Sequence, residues 1–148
     1  MSGGTGGSYS GDISASETWR RLEETRDATL IDVRTRAEWS FVGIPDLSSL
    51  GKEVILLEWQ SYPGMEVNPD FVALLEGELA RRGADIEAPL YFICRSGVRS
   101  AAAAAAAKAA GRSACFNVAG GFEGNLNGER HRGAESGWKA EGLPWAQS

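Results

Sequence analysis

A short apolar run leads directly into a cysteine-containing loop and then into an alanine-rich segment. Leu90–Ile93 has the composition of a buried strand, and the alanines of residues 100–110 predict a helix that packs closely against a sheet. Gly111 follows as a signal for the end of that helix. A buried strand followed by a helix is the repeating unit of parallel sheets covered by helices. This segment therefore constrains the chain to an α/β fold more tightly than any other.

The loop between the strand and the helix predicts a reactive sulfur. It reads Cys94-Arg95-Ser96-Gly97-Val98-Arg99-Ser100. Such a loop turns its backbone N–H groups inward, and the N-terminus of the following helix adds partial positive charge, so the two together stabilise an anion. A thiol held there should lose its proton easily. We therefore predict that Cys94 is a nucleophile with an accessible side chain, and that residues 95–100 bind a substrate that carries an oxyanion.

The residues of this loop have different predicted roles. Arg95 either contacts the incoming anion or only steers it, and Arg99 either binds substrate oxygens or fixes the loop. Gly97 is expected to adopt a backbone angle closed to other residues, so that successive N–H groups point at the sulfur. Ser96 and Ser100 can donate hydroxyl hydrogen bonds to the sulfur, and Ser100 is alternatively a helix cap.

The remainder of the chain predicts a layered sheet. Apolar runs predict three more strands, at residues 28–33, 54–57 and 115–118. Helix-start patterns lie at Ser14, Thr35 and Asn68-Pro69-Asp70. Short strands alternating with helices predict a mostly parallel sheet with helices on both faces.

Three segments are predicted to converge at one rim of this sheet, because ligands of such sheets bind beyond the carboxyl ends of the strands. Arg34, Cys94 and Gly120 each follow one of the predicted strands. Asp32 is expected to brace an arginine of the cysteine loop. Gly120 and Gly121 are expected to let the chain pass close beside the loop. Asp32, Arg34, Gly120 and Gly121 are thus predicted to support the loop without touching substrate.

Composition limits the classes of function. The chain has 148 residues, 43% of them hydrophobic, which predicts one core. We predict a flexible Gly/Ser-rich tail at residues 1–12, then one domain at 13–148 with a C-terminal extension from about 123. A net charge of −5 argues against nucleic-acid binding. Without an apolar span or a secretory signal pattern, we expect no membrane partner and a cytoplasmic location.

Metal and cofactor sites are not predicted, since neither metal-ligand spacing nor a nucleotide fingerprint is present. The two cysteines, Cys94 and Cys115, are not expected to form a disulfide. Cys115 lies in an apolar strand, so core packing is its predicted role. His131 lies outside every predicted strand end.

Several motifs together resemble a rhodanese-type sulfurtransferase domain, over a stretch from about Ile13 to Trp145. They are, in chain order, Leu30-Ile31-Asp32-Val33-Arg34, Ala37-Glu38-Trp39, Gly43-Ile44-Pro45, the cysteine loop and Val118-Ala119-Gly120-Gly121-Phe122. Each motif is weak alone, but their joint order and spacing are specific. The family often has a histidine between the glycine and the isoleucine of the turn, and this chain lacks it.

The resemblance implies a rhodanese-like three-layer fold with a five-stranded, mostly parallel sheet. It also implies a cycle in which Cys94 takes a sulfur from a small anionic donor such as thiosulfate. The resulting persulfide is then discharged to a thiol, to cyanide or to a protein acceptor. Because this attack needs no proton transfer, a general base is dispensable and the loop alone can activate the sulfur.

Two other functions compete with this interpretation. A cysteine-dependent phosphatase or arsenate reductase also places an arginine after a cysteine, but its loop is one residue longer and holds a tetrahedral anion. Here four residues separate Cys94 from Arg99, which suits a single sulfur atom better. The other alternative is a non-catalytic module that uses the fold to bind or regulate a partner. Oligomeric state is left open by the sequence.

Overall fold

The computed structural model describes residues 8–61, 64–124 and 137–147. The helices are α1 Ala15–Glu24, α2 Arg36–Val42, α3 Phe71–Arg81 and α4 Val98–Ala109, with a short 3₁₀ turn at Ser48–Leu50. The strands are β1 Gly11–Ile13, β2 Thr29–Asp32, β3 Ile44–Pro45, β4 Ile55–Leu56, β5 Gln60–Ser61, β6 Glu66–Val67, β7 Leu90–Ile93, β8 Cys115–Val118 and β9 Trp145–Ala146.

Five strands form one sheet in the order β1-β8-β7-β2-β4. Each of the four pairings within it is parallel. The strand that precedes the cysteine loop, β7, is central, with β2 and β8 on its two sides. This arrangement confirms the predicted five-stranded, mostly parallel sheet. Within the described ranges, no helix combines the length and the apolar character needed to cross a bilayer.

The sheet is covered on both faces, as predicted. Successive residues of a strand point to opposite faces, and the two hydrophobic clusters follow that alternation. Ile31 and Phe92 pack with α3 and α4 in one cluster, whereas Leu30 and Tyr91 pack with α1 in the other. The alanines of α4 that face the sheet have no exposed surface or almost none. Small side chains thus let the helix behind the cysteine loop lie close to β7 and β8.

Local signals place two of the helices correctly. Ser14 Oγ accepts the backbone N–H of Glu17 at 3.0 Å, which caps α1. Thr35 and Glu38 form the predicted reciprocal capping box at the start of α2. This box also fixes the direction of the Glu38 side chain, which matters at the cysteine loop.

The other two helices begin elsewhere than predicted. α3 starts at Phe71, because the Asn68 side chain accepts the backbone N–H of Asp70 in a turn that precedes the helix. α4 starts at Val98, two residues before the predicted Ser100. Ser100 is therefore the third residue of the helix, and the alternative that it caps the helix is wrong.

The predicted tail at residues 1–12 overlaps an ordered strand. Gly11–Ile13 pairs with β8, and Ser10 donates its backbone N–H to the carbonyl of Cys115 at 2.7 Å. These bonds are made by the backbone, so the Gly/Ser-rich composition does not prevent them. Residues 1–7 of the predicted tail lie outside the described residues.

The end of the chain is anchored to the domain at two tryptophans. Trp138 is fully buried and donates its indole N–H to the carbonyl of Pro144 at 2.7 Å. Trp145 lies in β9, which pairs antiparallel with β3. Residues 125–136, which include His131 and about half of the predicted extension, lie outside the described residues.

Candidate active site

The sulfur of Cys94 accepts hydrogen bonds from the start of α4. Its Sγ lies 3.1 Å from the Gly97 N, 3.3 Å from the Ser100 N and 3.2 Å from the Ser100 Oγ. The N-cap residue of α4 is Gly97, which has no side chain to satisfy the free N–H groups of the first turn. The cysteine side chain takes that place. The start of the helix therefore directs two N–H groups at a single sulfur, and the Ser100 hydroxyl oxygen lies within hydrogen-bond distance of the same atom.

Gly97 has the predicted special backbone conformation. Its φ is +115°, in the region that side chains with a Cβ rarely adopt. This angle turns the chain back so that the Gly97 N–H points at the sulfur of Cys94, three residues earlier. Among the described residues, the backbone N–H groups of Ser96 and Val98 make no such bond. The donor set is thus smaller than a complete ring of amides.

The prediction that Cys94 is accessible is wrong. Its residue surface is 1% exposed, and it belongs to the hydrophobic cluster on the α3 and α4 side of the sheet. The physical reason is that the loop folds back over its own cysteine to reach the sulfur with Gly97 and Ser100. Two residues of that loop nevertheless face solvent, since Arg95 is exposed and Val98 is 79% exposed.

Arg99 forms a bidentate ion pair with Glu38. The Nη1 and Nη2 atoms of Arg99 lie 2.7 and 2.9 Å from the two carboxylate oxygens of Glu38. Burial alone would raise the pKa of Glu38, but hydrogen bonds from Arg99 and from Thr35 outweigh it and lower that pKa to about 2. Of the two predicted roles for Arg99, this geometry supports the role of fixing the loop, because both Nη atoms of its guanidinium already bind a carboxylate.

Arg95 is the arginine of the loop that faces solvent. Its side chain is exposed, and among the described residues its guanidinium has no acidic partner. Its backbone is nevertheless fixed, because the carbonyl of Arg95 accepts the N–H of Glu123 at 2.9 Å. Arg95 thus combines a held main chain with a free cation at the mouth of the site. Ser96 is half-buried beside it.

Asp32 braces Arg34 and not an arginine of the cysteine loop, so that part of the prediction is wrong. The two side chains are fully buried, and the Nε and Nη2 atoms of Arg34 lie 2.9 and 2.6 Å from the Asp32 oxygens. Arg34 also donates to the carbonyl of Gly43 at 2.7 Å and lies 4.3 Å from the ring centre of Phe122. Because an arginine two residues away satisfies the carboxylate, Asp32 has no need of a partner in the loop.

Gly121 allows the close approach that was predicted for it. A Cβ at this position would lie 2.4 Å from the carbonyl oxygen of Cys94 and 2.6 Å from that of Arg95. The next N–H, that of Phe122, donates to the Cys94 carbonyl at 2.8 Å. Gly120 precedes this contact with a φ of +83°. The segment after β8 therefore packs against the backbone of the cysteine loop and hydrogen-bonds to it.

Several residues that shape the site were not predicted. Glu38 was named only in the capping pattern at the start of α2 and as part of the Ala37-Glu38-Trp39 motif, yet it anchors Arg99 from 61 residues away. Asn117 is 5% exposed and bonds to Ser100 on one side and to Asp12 on the other. An amide inside an otherwise apolar strand is the signal that would have marked Asn117, since a buried polar group needs partners.

Cys115 has the predicted structural role. It is fully buried on β8, and burial raises its pKa to about 11. A thiol in that state is a poor nucleophile at neutral pH. Cys115 is therefore a natural internal control for the chemistry of Cys94.

A separate cavity of about 750 Å³ lies away from the Cys94 site. Thr29, Lys52 and Arg82 are among its lining residues, and none of those residues belongs to the cysteine loop. Thr29 is the first residue of β2, so the cavity is at the amino ends of the strands. The convergent donors lie around Cys94, and an open cavity without convergent reactive groups identifies no chemistry.

Comparison with known proteins gives one matching family. The family described as rhodanese-like domain matches residues 14–127. An uncharacterized protein of Rickettsia conorii is 37% identical over 134 residues, which cover 90% of this chain and 95% of that protein.

Solved structures resemble the whole fold. The crystal structure of Rv0390 from M. tuberculosis has a TM-score of 0.83 and 48% identity, and it covers 95% of this chain and 100% of that one. The polysulfide-sulfur transferase homodimer of Wolinella succinogenes has a TM-score of 0.55 and 26% identity over 93% of this chain and 78% of that one. A rhodanese-like domain protein from Staphylococcus aureus, at 19% identity and a TM-score of 0.54, shows the fold alone, over 94% of this chain and 99% of that one.

Proposed function

Because this chain belongs to the rhodanese-like domain family, we propose that it is a sulfurtransferase that carries a sulfane sulfur on Cys94. The proposed donor is a small anion such as thiosulfate or another persulfide, and the proposed acceptor is a thiol or a protein. The similar Wolinella protein is a polysulfide-sulfur transferase, which supports sulfur transfer as the general class of reaction.

The proposed reaction has two displacement steps. The Cys94 thiolate attacks the outer sulfur of thiosulfate, a sulfur–sulfur bond forms on Cys94, and sulfite leaves with the electrons of the broken bond. An acceptor thiolate then attacks the outer sulfur of the Cys94 persulfide, takes it as a new persulfide and regenerates the Cys94 thiolate. Neither step requires an oxidant, a reductant or a metal.

The single observation that carries this proposal is the set of donors on the Cys94 sulfur. Two N–H groups at the N-terminus of α4 converge on one atom, at 3.1 and 3.3 Å, and the Ser100 Oγ lies 3.2 Å from it. Donors aimed at a sulfur favour its anionic form and stabilise the charge that the persulfide keeps. Arg95, exposed at the mouth, is the proposed contact for the oxygens of an anionic donor.

The loop has to open for this chemistry. With Cys94 1% exposed, a donor reaches its sulfur only after part of the exposed cover moves aside. Residues 96–98 are the segment that we expect to move, because the Arg99–Glu38 pair holds one side of it and the N–H of Glu123 holds the Arg95 carbonyl on the other. A loop that opens locally is compatible with a rigid frame on both sides.

The burial of Cys94 also favours a second candidate, a non-catalytic binding or regulatory module. In that case the donors around the sulfur would serve only to cap α4. A phosphatase or arsenate reductase activity is less compatible with the geometry, because the N–H groups of Gly97 and Ser100 are already hydrogen-bonded to the cysteine sulfur.

Steady-state assays separate these functions. We expect thiosulfate-dependent conversion of cyanide to thiocyanate by the wild type, background rates for Cys94→Ser, and retained turnover for Cys115→Ala, the matched control at the other thiol. Hydrolysis of an aryl phosphate without thiocyanate formation would favour the phosphatase. Absence of both activities in a folded wild type would favour the binding module.

A further inference from the structure

A line of polar side chains runs from Cys94 to the edge of the sheet. Ser100 Oγ lies 3.2 Å from the cysteine sulfur and is hydrogen-bonded to the Oδ1 of Asn117. The Nδ2 of Asn117 donates to the Oδ1 of Asp12 at 2.9 Å, and the hydroxyl of Tyr9 donates to that same oxygen at 2.9 Å. Asp12 and Asn117 are direct partners in the pairing of β1 with β8.

Asp12 determines which way the Asn117 amide faces. A carboxylate only accepts hydrogen bonds, so the NH₂ end of Asn117 has to face Asp12. The carbonyl end then faces Ser100. Because an amide oxygen is itself only an acceptor, the Ser100 hydroxyl has to donate its proton to Asn117.

The Ser100 hydroxyl has a single proton, and two acceptors lie within reach of it. When that proton points to Asn117, only the oxygen lone pairs of Ser100 face Cys94. A Cys94 thiol suits this arrangement, because its S–H can donate to Ser100 Oγ. A thiolate or a persulfide anion does not, since it needs the hydroxyl proton for itself. Turning the hydroxyl toward sulfur leaves the buried Asn117 oxygen without its partner, which is costly.

We propose that Asn117, oriented by Asp12, is a positioning residue that holds the Ser100 hydroxyl proton away from the Cys94 sulfur and thereby restrains formation of the anionic sulfur. The importance of that restraint for turnover rests on the proposed sulfurtransferase function, but the hydrogen-bond competition does not. In the closed loop, Cys94 is therefore supported by two backbone N–H groups, and by Ser100 only when the bond to Asn117 is given up.

The test measures the ultraviolet absorbance of the Cys94 thiolate as a function of pH, in the full chain without any sulfur donor. Asp12 is exposed, so Asp12→Asn leaves the core intact while allowing the Asn117 amide to turn over. Asn117→Val removes the competing acceptor without changing charge. For both variants we expect about a tenfold larger thiolate fraction at any pH below the midpoint, the value of one hydrogen bond to a charged acceptor.

Two controls separate this effect from structural or charge effects. Tyr9→Phe removes a donor to Asp12 but leaves the orientation of Asn117 unchanged, so its titration should match the wild type. In a Ser100→Ala background the hydroxyl is absent, so Asp12→Asn and Asn117→Val should no longer change the titration. The other charged groups that face the site are the same in every variant: Asp32, Arg34, Glu38, Arg95 and Arg99.

The outcomes test the role of Asn117 independently of the proposed sulfurtransferase function. An unchanged titration in Asp12→Asn overturns it, and so does a shift that persists at full size in the Ser100→Ala background, which would reflect charge alone. If Asn117→Val does not fold, Asp12→Asn decides the question by itself. Because no donor is used, failure here leaves sulfur transfer untouched, and failure of sulfur transfer leaves this result standing.

Discussion

The Glu38–Arg99 ion pair should make a large, pH-dependent contribution to stability. Both side chains are mostly buried, at 15% and 17% exposure, and the pair joins α2 to the first turn of α4. The pKa of Glu38 falls from 4.5 to about 2 on folding, because the hydrogen bonds from Arg99 and Thr35 outweigh the opposing effect of burial. A shift of that size corresponds to about 3 kcal/mol of folding free energy.

The sign of the pH dependence follows from the direction of the shift. A carboxylate whose pKa is lowered by folding stabilises the native state fully above its unfolded value of 4.5. That contribution is lost progressively as the pH falls toward about 2, where the folded carboxylate takes up its proton. Glu38→Gln should therefore lower the free energy of unfolding by about 3 kcal/mol at pH 7, and by roughly half as much at pH 3.

Urea unfolding followed by tryptophan fluorescence measures this difference. Wild type and variant share every other carboxylate, so subtracting their free energies at each pH isolates Glu38. Glu24→Gln is the matched control, because Glu24 pairs with Arg20 on the surface at 57% exposure and should contribute less than about 1 kcal/mol. A Glu38→Gln variant as stable as wild type at pH 7, or one whose deficit is equally large at pH 3, would refute the reasoning.

Three other perturbations test the frame around the cysteine. Gly121→Ala should destabilise the protein by at least about 2 kcal/mol in thermal unfolding, because its Cβ would lie 2.4 Å from the Cys94 carbonyl oxygen. The control Gly77→Ala, which has open space around it in α3, should be neutral or stabilising. Asp32→Asn should lower the free energy of unfolding in urea by about 3–5 kcal/mol, because the buried guanidinium of Arg34 loses its carboxylate partner. A loss below about 1 kcal/mol would contradict the importance of this buried pair. Cys115, with a pKa of about 11, should resist alkylation at pH 8 until the protein is unfolded, and peptide mapping that finds it labelled in the native protein would contradict its burial.

The main features of the fold could be predicted because they depend on local patterns. The apolar runs at β2, β7 and β8 and the capping residues at Ser14 and Thr35 are each encoded in a few neighbouring residues. Strand β1 was missed because its sequence, Gly-Asp-Ile, carries no apolar pattern. It is held by backbone bonds to β8, about a hundred residues further along the chain.

Some contacts of the predicted site residues follow from the sequence, and others do not. The donors from Gly97 and Ser100 follow from the loop and the helix start, which adjoin Cys94 in the sequence. The partners of Arg99 and of Asp32 depend on which carboxylates the fold brings near, and no local pattern encodes that. The burial of Cys94 has the same origin, because only the folded loop shows that it closes over the sulfur.

Intact mass after treatment with thiosulfate, followed by peptide mapping, tests the central claim most directly. We predict a gain of one sulfur atom on Cys94 in the wild type and in Cys115→Ala, with no gain in Cys94→Ser. A folded wild type that stays unmodified at saturating thiosulfate, or one that carries the added sulfur on Cys115, would contradict the account.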